Sequence, residues 1–260
     1  MGISHVARLI CRDVASRDVA SNVSTDIQLD GVGEAAPELG ILATLRRLVL
    51  PLAAVAVATL AWAGDVASTA RAVDDKYNHL KTLQADFSEI YRGAGTERME
   101  SGTLLLKKPG KMRWDYRSPK EKLFVSDGRD VWFWVPGDRQ VQRSKLKRLE
   151  DLRSPIGFLL GKAKLEKELR GLSEAPDVAP LEGGDKVLRG VPQALAERVS
   201  QVTLEITPED WIRRIVIEEV DGSVTEYRFS DQKADVDIPE SRFRFEPPPG
   251  VEVIDGELGQ

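Results

Sequence analysis

The side chains that most often carry covalent, acid–base or metal chemistry are few in this sequence and poorly placed for it. Cysteine occurs once, at Cys11, so neither an internal disulfide nor a thiolate metal cluster can form within one chain. The histidines are His5 and His79, and no HExxH pair holds them on one helical face. His79 falls on a predicted helix, where a structural or solvent-facing role is the simpler reading. Asp127-Gly128 and Asp221-Gly222 are turn chemistry before they are active-site chemistry. Glu218 and Glu219 are neighbours on a predicted strand, so they point to opposite faces and form no working pair of carboxylates. The glycine turns match neither a P-loop nor a dinucleotide fingerprint. The sequence therefore nominates no catalytic residue, no metal ligand set and no cofactor. An enzyme built from carboxylates alone stays open, but nothing selects its members.

The more informative excess is aromatic. Trp114, Tyr116, Phe124, Trp132, Phe133, Trp134, Tyr227, Phe229, Phe243 and Phe245 sit mainly in predicted strands. They could fill the core of a sandwich. Alternatively they line an apolar chamber, where each buried methylene of a guest chain contributes about 0.8 kcal/mol. Alternation places Trp132 and Trp134 on one strand face and Phe133 on the other.

These residues need a sheet to position them. Met112, Trp114 and Tyr116 alternate with Lys111, Arg113, Asp115 and Arg117, and Pro109-Gly110 turns the chain just before. Leu123–Ser126 and Val131–Val135 flank Asp127-Gly128 as a hairpin, and Gln140–Gln142 begins another strand. Later, Val202, Leu204 and Ile206 alternate, Trp211–Val220 forms a strand, and Asp221-Gly222 turns it into Val224–Ser230. Phe243 and Phe245 alternate at the end. The connections are too short for parallel crossovers, so the sheet is expected to be antiparallel. Ahead of it, Val66, Ala70, Val73, Tyr77, Leu80 and Leu83 recur at helical intervals, a stripe that must cover another apolar surface. Helical interruptions are expected across Ser144–Leu152 and Pro155–Leu169, and a polar surface loop across Gly171–Gly184.

The 260 residues carry a formal net charge of -5 with both signs interspersed, which argues against a nucleic-acid binder. Arg46-Arg47, the apolar run Leu48–Leu60 and small residues at Ala61 and Ala63 read as a secretory signal over 41–63, cleaved after Ala63. A retained hydrophobic anchor is the alternative. Residues 1–40 are polar and aperiodic, either a misassigned translation start or a leader ahead of the signal. Residues 64–260 are then expected to form a single domain.

The run Gly102–Tyr116, with Lys107-Lys-Pro-Gly110 inside it, resembles the outer-membrane lipoprotein carrier family. Pro119, Leu123–Gly128, Val131–Trp134, Pro136, Gln140-Val141, Ser154-Pro155, Leu159-Leu160 and Phe243–Gly250 continue that resemblance in order. The resemblance implies a mainly β fold with helices: an incomplete, strongly curved antiparallel half-barrel covered by a helical lid. It implies a monomeric periplasmic chaperone, not an enzyme, that binds the acyl chains of lipoproteins. Cargo would come from an inner-membrane ABC lipoprotein-release complex and pass to an outer-membrane lipoprotein acceptor. A periplasmic sensor of lipids or other hydrophobic ligands on a related scaffold is the alternative. The concave face under the lid would bind lipid, with Trp114, Leu123, Val125, Trp132 and Trp134 as cavity candidates. Lys108 stands where family members often carry an arginine associated with lid contacts; lysine keeps the charge but loses the planar fork of donors. Gly190 departs from the family's more hydrophobic strand.

Overall fold

A computed structural model describes residues 65–147, 159 and 164–256. The readings made for 1–40 and 41–63, and most of those for the two helical interruptions, lie outside these residues. The described chain opens with helix α1 (65–79). Strands follow at β1 Thr82–Gly93, β2 Thr96–Lys107, β3 Lys111–Ser118, β4 Lys122–Asp127, β5 Asp130–Trp134 and β6 Gln140–Lys145. After the short helix α2 (Leu165–Glu168) come β7 Leu169–Glu174, β8 Lys186–Pro192, β9 Val199–Ile206, β10 Ile212–Glu219, β11 Val224–Ala234 and β12 Glu252–Asp255. Among the described residues no helix is long and apolar enough to cross a membrane.

All twelve strands form one sheet in the order β12-β6-β5-β4-β3-β2-β1-β11-β10-β9-β8-β7. Every neighbouring pair is antiparallel except β12 on β6, which is parallel. Strand β11 returns to lie against β1, so the two hairpin series are joined through the first strand. Strands β7 and β12 are the ends of that order, and the sheet is open.

One hydrophobic cluster joins Leu104, Trp114, Phe124 and Phe133 from one half of the sheet to Leu188, Leu204, Ile215 and Phe229 from the other. Strands so far apart in order can share one cluster only if the twisted sheet curls around it. The face bearing that cluster is the inner face. Helix α1 lies on it, burying Ala70, Val73 and Tyr77, the positions its helical period selects. The alternations read from β3 and β9 hold, with Trp114 and Val202 pointing inward, as do Ile217 of β10 and Tyr227 of β11.

Two local readings are corrected. Leu169–Glu174 is an edge strand where the end of a helix at Leu169 and the start of a loop at Gly171 were expected; a register shift between Arg170 and Ser173 interrupts the alternation that would have marked it. Phe243 ends a 3-10 turn (Glu240–Phe243) and is not part of a strand. Gly190, the apparent departure, sits where a Cβ would come within 2.9 Å of the Leu169 Cβ and 3.3 Å of the Arg170 carbonyl oxygen. Glycine there lets β7 close against β8.

Candidate functional site

The inner face is built in tiers that the register fixes. Nearest the turn from α1 into β1 lie Leu83, Leu106 and Met112; next come Ala85, Leu104, Trp114, Phe124 and Phe133. Trp114, 1% exposed, is the hub of the aromatic packing. Its ring meets Phe87 edge to face at 4.8 Å between centroids, and lies 6.0 Å from Tyr227 and 6.4 Å from Phe229. Such edge contacts add modestly to the area each ring buries.

Helix α1 is held over this face by a small set of polar pins. Lys108 Nζ donates to the carbonyl of Tyr77 and, at 3.1 Å, to that of Asn78, two residues near the C-terminal end of the helix. A cation is well matched to that end, where carbonyls lack helical partners. Partial burial lowers the Lys108 pKa, and the Asp235 carboxylate opposes that shift. The Tyr77 hydroxyl donates to Gln232 Oε1 at 3.1 Å and accepts from the Ile212 amide at 3.0 Å. At the other end, Lys186 Nζ lies 2.7 Å from Asp65 Oδ1. Asp74 accepts from the Leu165 amide at 3.1 Å, tying α1 to the start of α2; burial is the main cause of its raised pKa. His79 is exposed, its Nδ1 2.6 Å from the Asp75 carbonyl of the same helix.

The five cavity candidates do not share a surface. Trp114 faces inward. Val125 pairs with Arg113 and Trp132, and Leu123 with Asp115 and Trp134, so Leu123, Val125, Trp132 and Trp134 all face outward. The C-terminal segment covers that outer face. Phe245 packs 5.5 Å from the Trp132 ring and 5.8 Å from the Trp134 ring. Phe243 packs with Leu105 and Ile238. The Arg143 guanidinium stands 5.2 Å over Trp132 and pairs with Asp255 of β12. In β4 and β5 the inward apolar residues are instead Phe124, Val131 and Phe133. Phe133 does oppose Trp132 and Trp134, as alternation requires.

Residues that the sequence reading passed over mark the end of the inner face away from the turn into β1. Glu89 is 2% exposed and directly opposite Glu100 on one side and Tyr227 on the other. Its Oε2 accepts from the Tyr116 hydroxyl at 2.7 Å. Lys122, buried beside Tyr116, pairs with Glu100. Burial pushes the Glu89 carboxyl up to about 7, against the lowering effect of the Tyr116 hydroxyl. The signal was present: Ala85, Phe87 and Tyr91 share a strand parity with Glu89, a charge in an apolar series.

The sequence profile described as "Outer membrane lipoprotein carrier protein LolA" matches residues 78–246. Among curated relatives, an outer-membrane lipoprotein carrier protein of Pseudomonas fluorescens is 31% identical over 81% of this chain and 98% of its own length. Those of Chromobacterium violaceum and Nitrosospira multiformis are 30% and 29% identical, each over 68% of this chain and 82% and 83% of their own lengths. With more than half of its length matched by the profile, from the end of α1 through Glu246, this chain belongs to the LolA family of outer-membrane lipoprotein carrier proteins.

Proposed function

We propose that the chain is a periplasmic chaperone that shelters the acyl chains of lipoproteins between α1 and the inner face of the sheet. It takes cargo released by an inner-membrane ABC complex and delivers it to an outer-membrane acceptor. The observation that carries this reading is the pairing of a wide apolar inner face with one amphipathic helix held on it by few polar contacts. Lifting α1 would expose the Ala70, Val73 and Tyr77 stripe and the sheet beneath it. Acyl methylenes entering in its place rebury the sheet side, each contributing about 0.8 kcal/mol, so loading exchanges one apolar cover for another. No covalent step is needed. In this reading Trp114 contacts such chains, and Lys108 sets how readily α1 lifts.

The test is capture and transfer with purified protein. A lipidated substrate should be held in solution and then pass to acceptor membranes, while its nonlipidated form is not held. Capture of free lipid with no onward transfer would favour the sensor reading instead.

A further inference from the structure

The inner face is not apolar throughout, and its polarity is lopsided. Beyond the Trp114 tier, the β1–β4 side presents the Glu89 carboxyl, Glu100, the Tyr116 hydroxyl and Lys122. At the same depth, the ladder from Tyr227 leads across β10, β9 and β8 to Ile215, Leu204 and Leu188. One tier deeper Thr225 of β11 stands beside Ile217 and Val202, and on β9 and β10 the apolar run ends at Glu219, whose Oε2 is 3.3 Å from Ser223 Oγ. Ile215, Leu204, Leu188, Ile217 and Val202 are all fully buried.

Resting on the carrier reading, we infer that beyond the Trp114 tier the guest acyl chains run along the β8–β10 side of the inner face, against Ile215, Ile217, Leu204 and Val202, and are turned away from the β1–β4 side there by the Glu89 cluster. A methylene chain laid over the Glu89 cluster would meet buried polar groups to which it can offer no hydrogen bond. The same chain against β9 and β10 meets only branched aliphatic side chains. From Ile212 to Ile217 this path is roughly 17 Å long at a strand rise of about 3.3 Å per residue. Both halves are equally deep in the sheet; polarity alone separates them.

The full chain is loaded with a palmitoylated lipopeptide carrying a diazirine at the end of its acyl chain, irradiated, and the adducts mapped by mass spectrometry. Adducts on Ile215, Ile217, Leu204 or Val202 are expected. Captured lipopeptide whose adducts fall on Glu100, Lys122 or Tyr91, or only on α1, overturns the assignment while leaving the carrier reading intact. Failure to capture the lipopeptide at all overturns both. Glu89→Leu should spread adducts onto β1 and β2. Ile217→Glu should weaken capture by more than about tenfold. The wild-type map decides the question if either variant fails to fold.

Discussion

Lys108 and Tyr77 are joined through the backbone: the lysine ammonium, from the turn after β2, donates to the tyrosine carbonyl near the C-terminal end of α1. The Tyr77 side chain meanwhile reaches the opposite half of the sheet, at Ile212 and Gln232. A single helical turn is therefore tied to both hairpin series. The helix can leave the inner face only when both ties break.

Lys108→Met should loosen that turn without emptying the inner face. It removes the ammonium but leaves the aliphatic stem. The cost to global stability is expected to be about 1 kcal/mol, because the ammonium is only partly buried. The informative readout is hydrogen exchange: amides of α1 should exchange faster while those of β2 and β3 hold. Lys108→Arg should reverse the trend, since a guanidinium can serve both carbonyls. Unchanged exchange in α1 for both variants would remove Lys108 as a determinant of helix opening.

Trp114 and Trp132 separate the two faces experimentally. Trp114→Ala should cost about 3–5 kcal/mol and weaken capture of lipidated substrate, because it empties the aromatic hub of the inner face. Trp132→Asp should disturb packing against Phe245 on the outer face and leave capture largely intact. Loss of capture by a folded Trp132→Asp protein would return Trp132 to the binding surface.

That reversal shows where the sequence stops being informative. From Lys111 to Arg117 of β3 the outward residues are all charged and alternate with Met112, Trp114 and Tyr116, so that inward set can be read directly. In β4 and β5, Leu123-Phe124-Val125 and Val131-Trp132-Phe133-Trp134 are apolar on both faces, because the C-terminal segment covers the outside. Alternation then has no polar phase, and only the register with β3 decides which side is in. The cover itself was illegible for the same reason: Phe243 and Phe245 look like strand residues until the fold shows what they pack on. The helix stripe and the hairpins depended on local pattern, and each was reachable from the sequence.

Gly190→Ala should loosen the β7 edge. Its Cβ would collide with Leu169, whose side chain is buried in the inner cluster and has little room to yield. A loss of about 1–3 kcal/mol is expected from overpacking. Amides of β7 should lose protection ahead of those of β9. A variant as stable as the parent would mean that β7 shifts outward freely.

Glu89 gives the inner face a pH dependence whose sign can be worked out. The carboxyl has an ordinary value of 4.5 when the chain is unfolded and is pushed up to about 7 in the fold by burial, with Glu100 reinforcing the shift and Tyr116 and Lys122 opposing it. Below 4.5 it is protonated in both states and contributes no slope. Between 4.5 and about 7 the folded protein binds the extra proton, so stability falls as pH rises, and above 7 the loss is complete. The total is on the order of 3 kcal/mol at 1.36 kcal/mol per pKa unit. Glu89→Gln keeps the shape and removes the titration. Denaturant midpoints measured from pH 4 to 8 should therefore show the wild type losing ground to Glu89→Gln across that window and running parallel to it above. Curves that stay parallel throughout would mean that Glu89 keeps an ordinary carboxylate pKa, and that the far end of the inner face is wetter than its burial indicates.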